Sequence, residues 1–187
     1  GTRDWCMYHH RNTSAPETDF LSINQNVGTQ DATVWNDTVP TSTVVSVSGD
    51  GKVGTDETYI GYAFREVQGY SKFGSYTGNG DADGPVIYTG FKPAWIMVKR
   101  YDSTNSWVIR DFKRSGAESG NPRQRALFAD LSNQESNSTD YNFDFLSNGF
   151  KQRNANGIDN ASGGTYIYMA FAEHPFVSSK SVPVTAR

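Results

Sequence analysis

Three histidines, one cysteine and twenty carboxylates are the groups with which this chain of 187 residues could do covalent or acid–base chemistry. Nucleophilic catalysis needs a Ser or Cys beside a His that an acid orients. His9, His10 and His174 stand apart from any Gly-x-Ser-x-Gly elbow, which the chain lacks. His9-His10 ends an apolar alternation beside Arg11-Asn12, and His174 precedes Pro175, places that suit solvated or hydrogen-bonded imidazoles. A glycosidase sets two carboxylates about 5 to 9 Å apart across a cleft. Glu66 and Glu173 close two similar phrases, so pseudo-symmetry would let them face each other, whereas a charge at a strand end also simply marks the exit to solvent. The enzyme reading is the weaker one.

Metal and phosphate chemistry fare no better. Asp81-Ala82-Asp83-Gly84, and Asp50-Gly51 with Asp56-Glu57, are rich in oxygen ligands, but neither completes a twelve-residue calcium loop ending in Glu. Asp and Asn beside Gly are also what turns contain. One Cys and three scattered His make a transition-metal site unexpected. The glycines of 74–80 lack the following helix that a phosphate cradle requires. No metal and no cofactor is expected. Cys6, in an alternation of Trp5 and Met7 against Cys6 and Tyr8, reads as a buried strand thiol.

Binding suits the composition better than catalysis. Tyr101, Trp107 and Tyr141 stand nearest to polar loops, where rigid aromatic rings give contact area at low entropic cost. The alternative for all three is the core, because aromatics dominate small β cores. Arg114, Arg123 and Arg125 cluster in a long polar loop and would meet anionic glycans or lipopolysaccharide, or else form a solvated rim. Residues 115–124 and 134–140 are polar and long, so the binding surface is expected there.

The elements that must position these groups read as strands. Eighteen glycines and 25 aromatic residues at a hydrophobic fraction of only 36% suit short strands with aromatic faces joined by polar turns. Residues 43–47, 59–64, 86–88, 95–99, 107–109, 143–146 and 166–171 are the clear strand candidates, with 59–64 and 166–171 as central strands. Residues 95–99 and 107–110 should form a hairpin around 101–105, and Ser147-Asn148-Gly149 a tighter one. The expected class is all-β, in antiparallel β-sandwich units.

The chain also repeats itself. Trp5-Cys6-Met7-Tyr8-His9-His10 leads to Thr58-Tyr59-Ile60-Gly61-Tyr62-Ala63-Phe64-Arg65-Glu66, as Trp95-Ile96-Met97-Val98-Lys99-Arg100 leads to Thr165-Tyr166-Ile167-Tyr168-Met169-Ala170-Phe171-Ala172-Glu173. An internal duplication would give two related copies. The expected organisation is a first β unit at 1–68, an aromatic and Gly-rich connector at 69–93, a second β unit at 94–176 and an extended C-terminal tail at 177–187.

A formal charge of −3 with scattered basic residues offers no electrostatic reason for a nucleic-acid partner. No run approaches the roughly 20 apolar residues of a membrane span, so membrane insertion is not expected. Beginning at Gly1, the chain reads as a fragment of a longer protein.

Several longer phrases carry a family likeness. These are Phe73-Gly74-Ser75-Tyr76-Thr77-Gly78-Asn79-Gly80, then Asp83-Gly84-Pro85-Val86-Ile87-Tyr88-Thr89-Gly90-Phe91-Lys92-Pro93-Ala94-Trp95, and Leu146-Ser147-Asn148-Gly149-Phe150-Lys151. With the 166–173 phrase and Val34-Trp35-Asn36-Asp37-Thr38-Val39-Pro40-Thr41-Ser42, they resemble the C-terminal region of virion structural and tail-fibre proteins of tailed marine bacteriophages. In that family the region often follows a concanavalin-like lectin domain. The resemblance implies a place more than an activity: a non-enzymatic virion protein at the particle surface, with no catalytic residue to carry over. It implies a distal tail-fibre or appendage domain contacting the host, with a capsid decoration or head-fibre protein as the second reading and a glycan depolymerase as the third. The implied partners are other virion subunits and host-surface glycan, in a homo-oligomer for which a trimer is favoured.

Overall fold

The computed structural model describes residues 3–53, 58–114 and 120–174. The chain is all-β: a third of it is strand and 6% helix, and the strands pair antiparallel throughout. Strands β1 (Cys6–Met7), β2 (Asp19–Ser22) and β3 (Gln30–Asp31) form one small sheet. Strands β4 (Ser71–Thr77), β5 (Val86–Tyr88), β6 (Pro93–Arg100), β7 (Val108–Asp111), β8 (Arg125–Phe128) and β9 (Ser136–Asn137) follow. Last come β10 (Phe143–Leu146), β11 (Gly149–Gln152), the short helix α1 (Gly157–Asn160) and β12 (Thr165–Ala172).

The central sheet has six strands in the order β4-β12-β6-β7-β8-β9. Successive side chains of a strand point to opposite faces, so β12 and β6 each build two cores. Tyr166, Tyr168 and Ala170 with Ile96 and Val98 face Ile87, Phe143, Phe145 and Phe150 of the β10-β11-β5 sheet. Ile167, Met169 and Met97 face the other way, toward Leu21 and Trp107 under the β1-β2-β3 sheet. The architecture is therefore a sandwich with the six-stranded sheet in the middle. A strand buried on both faces must be apolar at every position. This is why 166–171 reads as an unbroken apolar and aromatic run.

The expected strands at 86–88, 95–99, 143–146 and 166–171 are all present, and 166–171 is central. The 95–99/107–110 hairpin forms as β6 and β7, with Val98 opposite Val108. The tighter one forms as β10 and β11, with Leu146 opposite Gly149 across Ser147-Asn148. Gly149 is required by close approach: a Cβ there would lie 2.1 Å from the Ile87 carbonyl oxygen.

Two strand expectations in the first half need correction. Residues 43–47 and 59–64 lie outside every sheet, with Val44, Val45, Val47, Ile60, Tyr62 and Phe64 exposed. The phrase at 58–66 thus has a different structure from its near-copy in β12, so the arrangement does not reproduce the duplication. Residues 69–93, read as a connector, supply two strands: β4 pairs with β12 along its length and β5 pairs with β11. A strand's pattern records what it can pair with, and the tertiary frame decides whether it does. The tail at 177–187 falls outside the described residues.

Buried polar groups fix the loops that join these layers. Arg110 and Asp159, both buried, form an ion pair beneath the Phe143 ring, and Arg110 Nη2 also donates to the Tyr141 carbonyl at 3.3 Å. Burial raises the Asp159 carboxyl above its ordinary range, and Arg110 opposes that rise. Asn160 anchors the 79–83 turn, donating from Nδ2 to Asn79 Oδ1 at 3.1 Å and to the Asp81 carbonyl at 2.8 Å. Lys99 is buried with its Nζ on the Asn26 carbonyl at 2.9 Å and on that of Asn105, and desolvation lowers it to about 8. Cys6 is half-buried in β1, and desolvation raises its thiol to about 11.

Candidate functional site

A groove of about 500 Å³ opens at the rim of the central sheet, lined by Phe128, Asn133, Gln134, Glu135, Ser136, Asn137 and Tyr141. Its floor is set by the last two strands: β9 pairs with β8 through Arg125 opposite Asn137 and Ala126 opposite Ser136. Chain direction then reverses in a short 3-10 turn, Thr139–Tyr141, whose start is capped by Ser138 Oγ accepting from the Asp140 amide at 3.2 Å. That turn brings Tyr141 back over Phe128, edge to face at 5.5 Å between ring centres. The buried Arg110 holds the Tyr141 carbonyl from below, so the ring sits on a fixed base. Burial, with the charges of Asp140 and Asp159, raises the Tyr141 hydroxyl above its usual range.

One carboxylate organises the groove's charge. Glu135 accepts from Arg114 Nη1 at 3.2 Å and from Arg125 Nη1. Burial pushes the Glu135 carboxyl up, but the hydrogen bonds and charges of Arg125 and Arg114 outweigh it and hold the group below its ordinary value. Two guanidinium groups share this one carboxylate, while the Asp140 charge stands on the Tyr141 side of the groove. Beside them Asn133, Gln134 and Asn137 offer amide donors and acceptors, and Ser136 a hydroxyl. Two aromatic rings with a row of amides can hold a polar ring that presents hydroxyls from its edges and C–H groups from its faces.

The six residues singled out from sequence separate into two groups. Tyr141 lines the groove, while Arg114 and Arg125 flank it through Glu135. Tyr101 lies elsewhere, in the β6–β7 turn, half-buried against the core beneath the β1-β2-β3 sheet. Trp107 is a correction: it is 1% exposed, with its indole N–H on the Ser22 carbonyl at 2.9 Å, so it is core and out of a ligand's reach. Arg123 is another, 7% exposed, with its guanidinium 4.8 Å from the Phe112 ring centre and its backbone bridged to Phe143. Of the two polar stretches expected to carry binding surface, 134–140 supplies most of the groove. In 115–124, residues 115–119 lie outside the described residues. Phe128 and Asn133 were not anticipated, and the only signal for them was their place at the border of that polar stretch.

The remaining chemical candidates have structural partners. Glu66 accepts the Phe73 amide at 3.1 Å, and Glu173 pairs with Lys92 at 2.7 Å. Asp81 accepts the Asp83 amide at 2.8 Å, while Asp83 pairs with Lys151 at 2.8 Å. Asp50 closes its own turn by accepting the Lys52 amide at 2.9 Å, and Asp56-Glu57 fall outside the described residues. Among the described residues no three His, Cys, Asp or Glu side chains gather as a metal site would need. His9 is buried: Nδ1 accepts the Arg11 amide, so Nε2 carries the proton and donates to the Tyr168 carbonyl at 3.2 Å.

A family model, DUF7483, a domain of unknown function, matches residues 1–175. The chain belongs to the DUF7483 family. No curated protein and no solved structure matches it. Family membership thus covers almost the whole length, both halves of the sandwich included, and brings no activity with it. Among the described residues no helix is long and apolar enough to cross a membrane.

Proposed function

We propose that this DUF7483 protein is a non-enzymatic component of a bacteriophage virion, the distal domain of a tail fibre or similar appendage, and that its rim groove contacts glycan on the host surface. The observation that carries the reading is the groove itself, where the Phe128–Tyr141 ring pair is bordered by Asn133, Gln134 and Asn137 on a rigid sheet edge. Aromatic platforms with amide borders suit sugar rings, and the Arg114 and Arg125 guanidinium groups beside them suit a carboxylate or sulfate on such a ring. Phrase-level likeness to phage virion proteins supplies the setting. The engagement of Glu66 by the Phe73 amide and of Glu173 by Lys92 favours binding over glycan cleavage.

A second reading, a capsid decoration or head-fibre protein, draws on Val39, Val44, Val45 and Val47, exposed apolar side chains that contact with another virion subunit would cover. Immunogold labelling of phage particles with antibody to this chain separates the two. Label at fibre tips is expected, label over the capsid favours the second reading, and label on no particle removes both. Binding of the purified protein to host cells should weaken at least tenfold in Tyr141→Ala, and equal binding by that variant would remove the groove from the proposal.

A further inference from the structure

Thirteen large apolar side chains are exposed among the described residues, and three of the most exposed are close together in sequence: Ile60 at 82%, Tyr62 at 72% and Phe64 at 58%. Counting large side chains at roughly 150–250 Å² when fully bare, they present on the order of 400–500 Å². That is about the size of the largest apolar patch on a typical monomer, which is often functional. Residues 58–64 carry no charge, and they repeat the Thr-Tyr-Ile-x-x-Ala-Phe phrase of β12. In β12 that phrase is covered along both edges, by β4 and by β6. The surface complementary to it is therefore already present in this chain.

One of those partner strands has an edge to spare. β4 is the outer strand of the central sheet and gives one edge to β12. Its other edge meets an isolated bridge from Val67 to Ser71. Extending that bridge as a hairpin would set Arg65 opposite Phe73, but the Phe73 amide is taken by the Glu66 side chain instead. The chain leaves the ladder there: Ser71 Oγ donates to the Arg65 carbonyl at 2.8 Å, and the Phe64 ring lies against Phe73 and Phe171 at 6.4 and 5.9 Å. Amides alternate in direction along a strand, so the Ser75 amide turns outward as that of Phe73 does, and Ser75 is exposed. Residues 73–77 are also uncharged, so two copies, each carrying −3, can meet here without like charges opposing each other.

We propose that residues 60–64 of one copy add as a strand to the outer edge of β4 beyond Phe73, at residues 75–77, in a second copy of this chain, covering Ile60 and Tyr62. The contact joins two different surfaces, so it propagates head to tail and closes as a ring, or closes reciprocally between two copies. It deepens the reading of the chain as a self-assembling virion subunit. It is tested on purified protein by mass, so failure of the particle labelling leaves it standing and its own failure leaves the labelling result intact.

The test is analytical ultracentrifugation of the whole chain at tens of micromolar. Wild type is expected as an oligomer, and Ile60→Asp with Tyr62→Asp as a monomer with an unchanged circular dichroism spectrum. Ser75→Pro removes the outward amide from the acceptor edge and is likewise expected as a monomer, with Ser75→Lys as the substitute if the proline variant misfolds. Each variant keeps the half that the other lacks, so a one-to-one mixture should form a heterodimer. Val86→Asp on β5, another exposed apolar position, should leave the oligomer intact. A monomeric wild type, an oligomer indifferent to the two aspartates, or a mixture that stays monomeric would each overturn the proposal.

Discussion

At the scale of single residues, His9 carries the clearest consequence of burial. Desolvation lowers its pKa from 6.5 to about 4, against the weaker opposing pull of its bond to the Tyr168 carbonyl. The unfolded chain therefore binds this proton more tightly than the folded one. Stability from neutral His9 is fully present above pH 6.5 and is lost as pH falls toward 4, a change of roughly 3 kcal/mol. Urea unfolding between pH 7 and 4 should show that slope in wild type and a flatter one in His9→Gln. Equal slopes would mean that the imidazole charges without cost, against its burial among Phe73, His10 and Met7. Arg110 and Asp159 follow a different logic, because each is an uncompensated buried charge without the other. Asp159→Asn should cost about 3–5 kcal/mol, whereas replacing both partners with apolar residues should cost less than the single change, as a double-mutant cycle would show.

At the scale of elements, the β10–β11 hairpin shows what the sequence could and could not disclose. Its turn, Ser147-Asn148, was legible from residue types, because the local backbone preference needs no knowledge of the rest of the chain. The reason for Gly149 was not, since it depends on the Ile87 carbonyl of β5, more than sixty residues away. Gly149→Ala should force β5 off β11 and cost about 1–3 kcal/mol by overpacking. Hydrogen exchange should report it as faster amides in residues 86–88 and 149–151, and unchanged protection there would show that the edge relaxes freely. The same distinction explains the groove. Its polar border, 134–140, was visible as composition, and Tyr141 as an aromatic beside it. Trp107 looked equivalent in sequence, but its burial just before β7 is set by the sheet above it, which composition does not reveal. The phrases at 58–66 and 165–173 are the sharpest case: similar residues, one segment covered along both edges and the other outside every sheet. Propensity is shared between them, and the available partners differ.

At the scale of the whole molecule, the middle position of the six-stranded sheet argues against two independent halves. The face of that sheet bearing Met97, Trp107, Ile167 and Met169 is covered by the first half, through Leu21 and the Ser22 carbonyl that takes the Trp107 indole N–H. Lys99 depends on it too, since one of its two carbonyl partners is Asn26. A chain cut to residues 69–174 keeps all nine strands from β4 to β12 but bares that face. Each fully buried large apolar side chain contributes about 1.5–3 kcal/mol, so exposing four of them removes an amount comparable to the whole net stability of a typical domain, about 5–15 kcal/mol. The fragment should therefore be insoluble, or soluble without a cooperative thermal transition and with strong binding of an apolar dye. Adding residues 1–68 as a separate chain should restore a sharp transition, because the missing layer supplies packing rather than covalent continuity. A fragment that melts sharply by itself would show that the second half is a domain in its own right, and would return the two-unit organisation that the sequence first suggested.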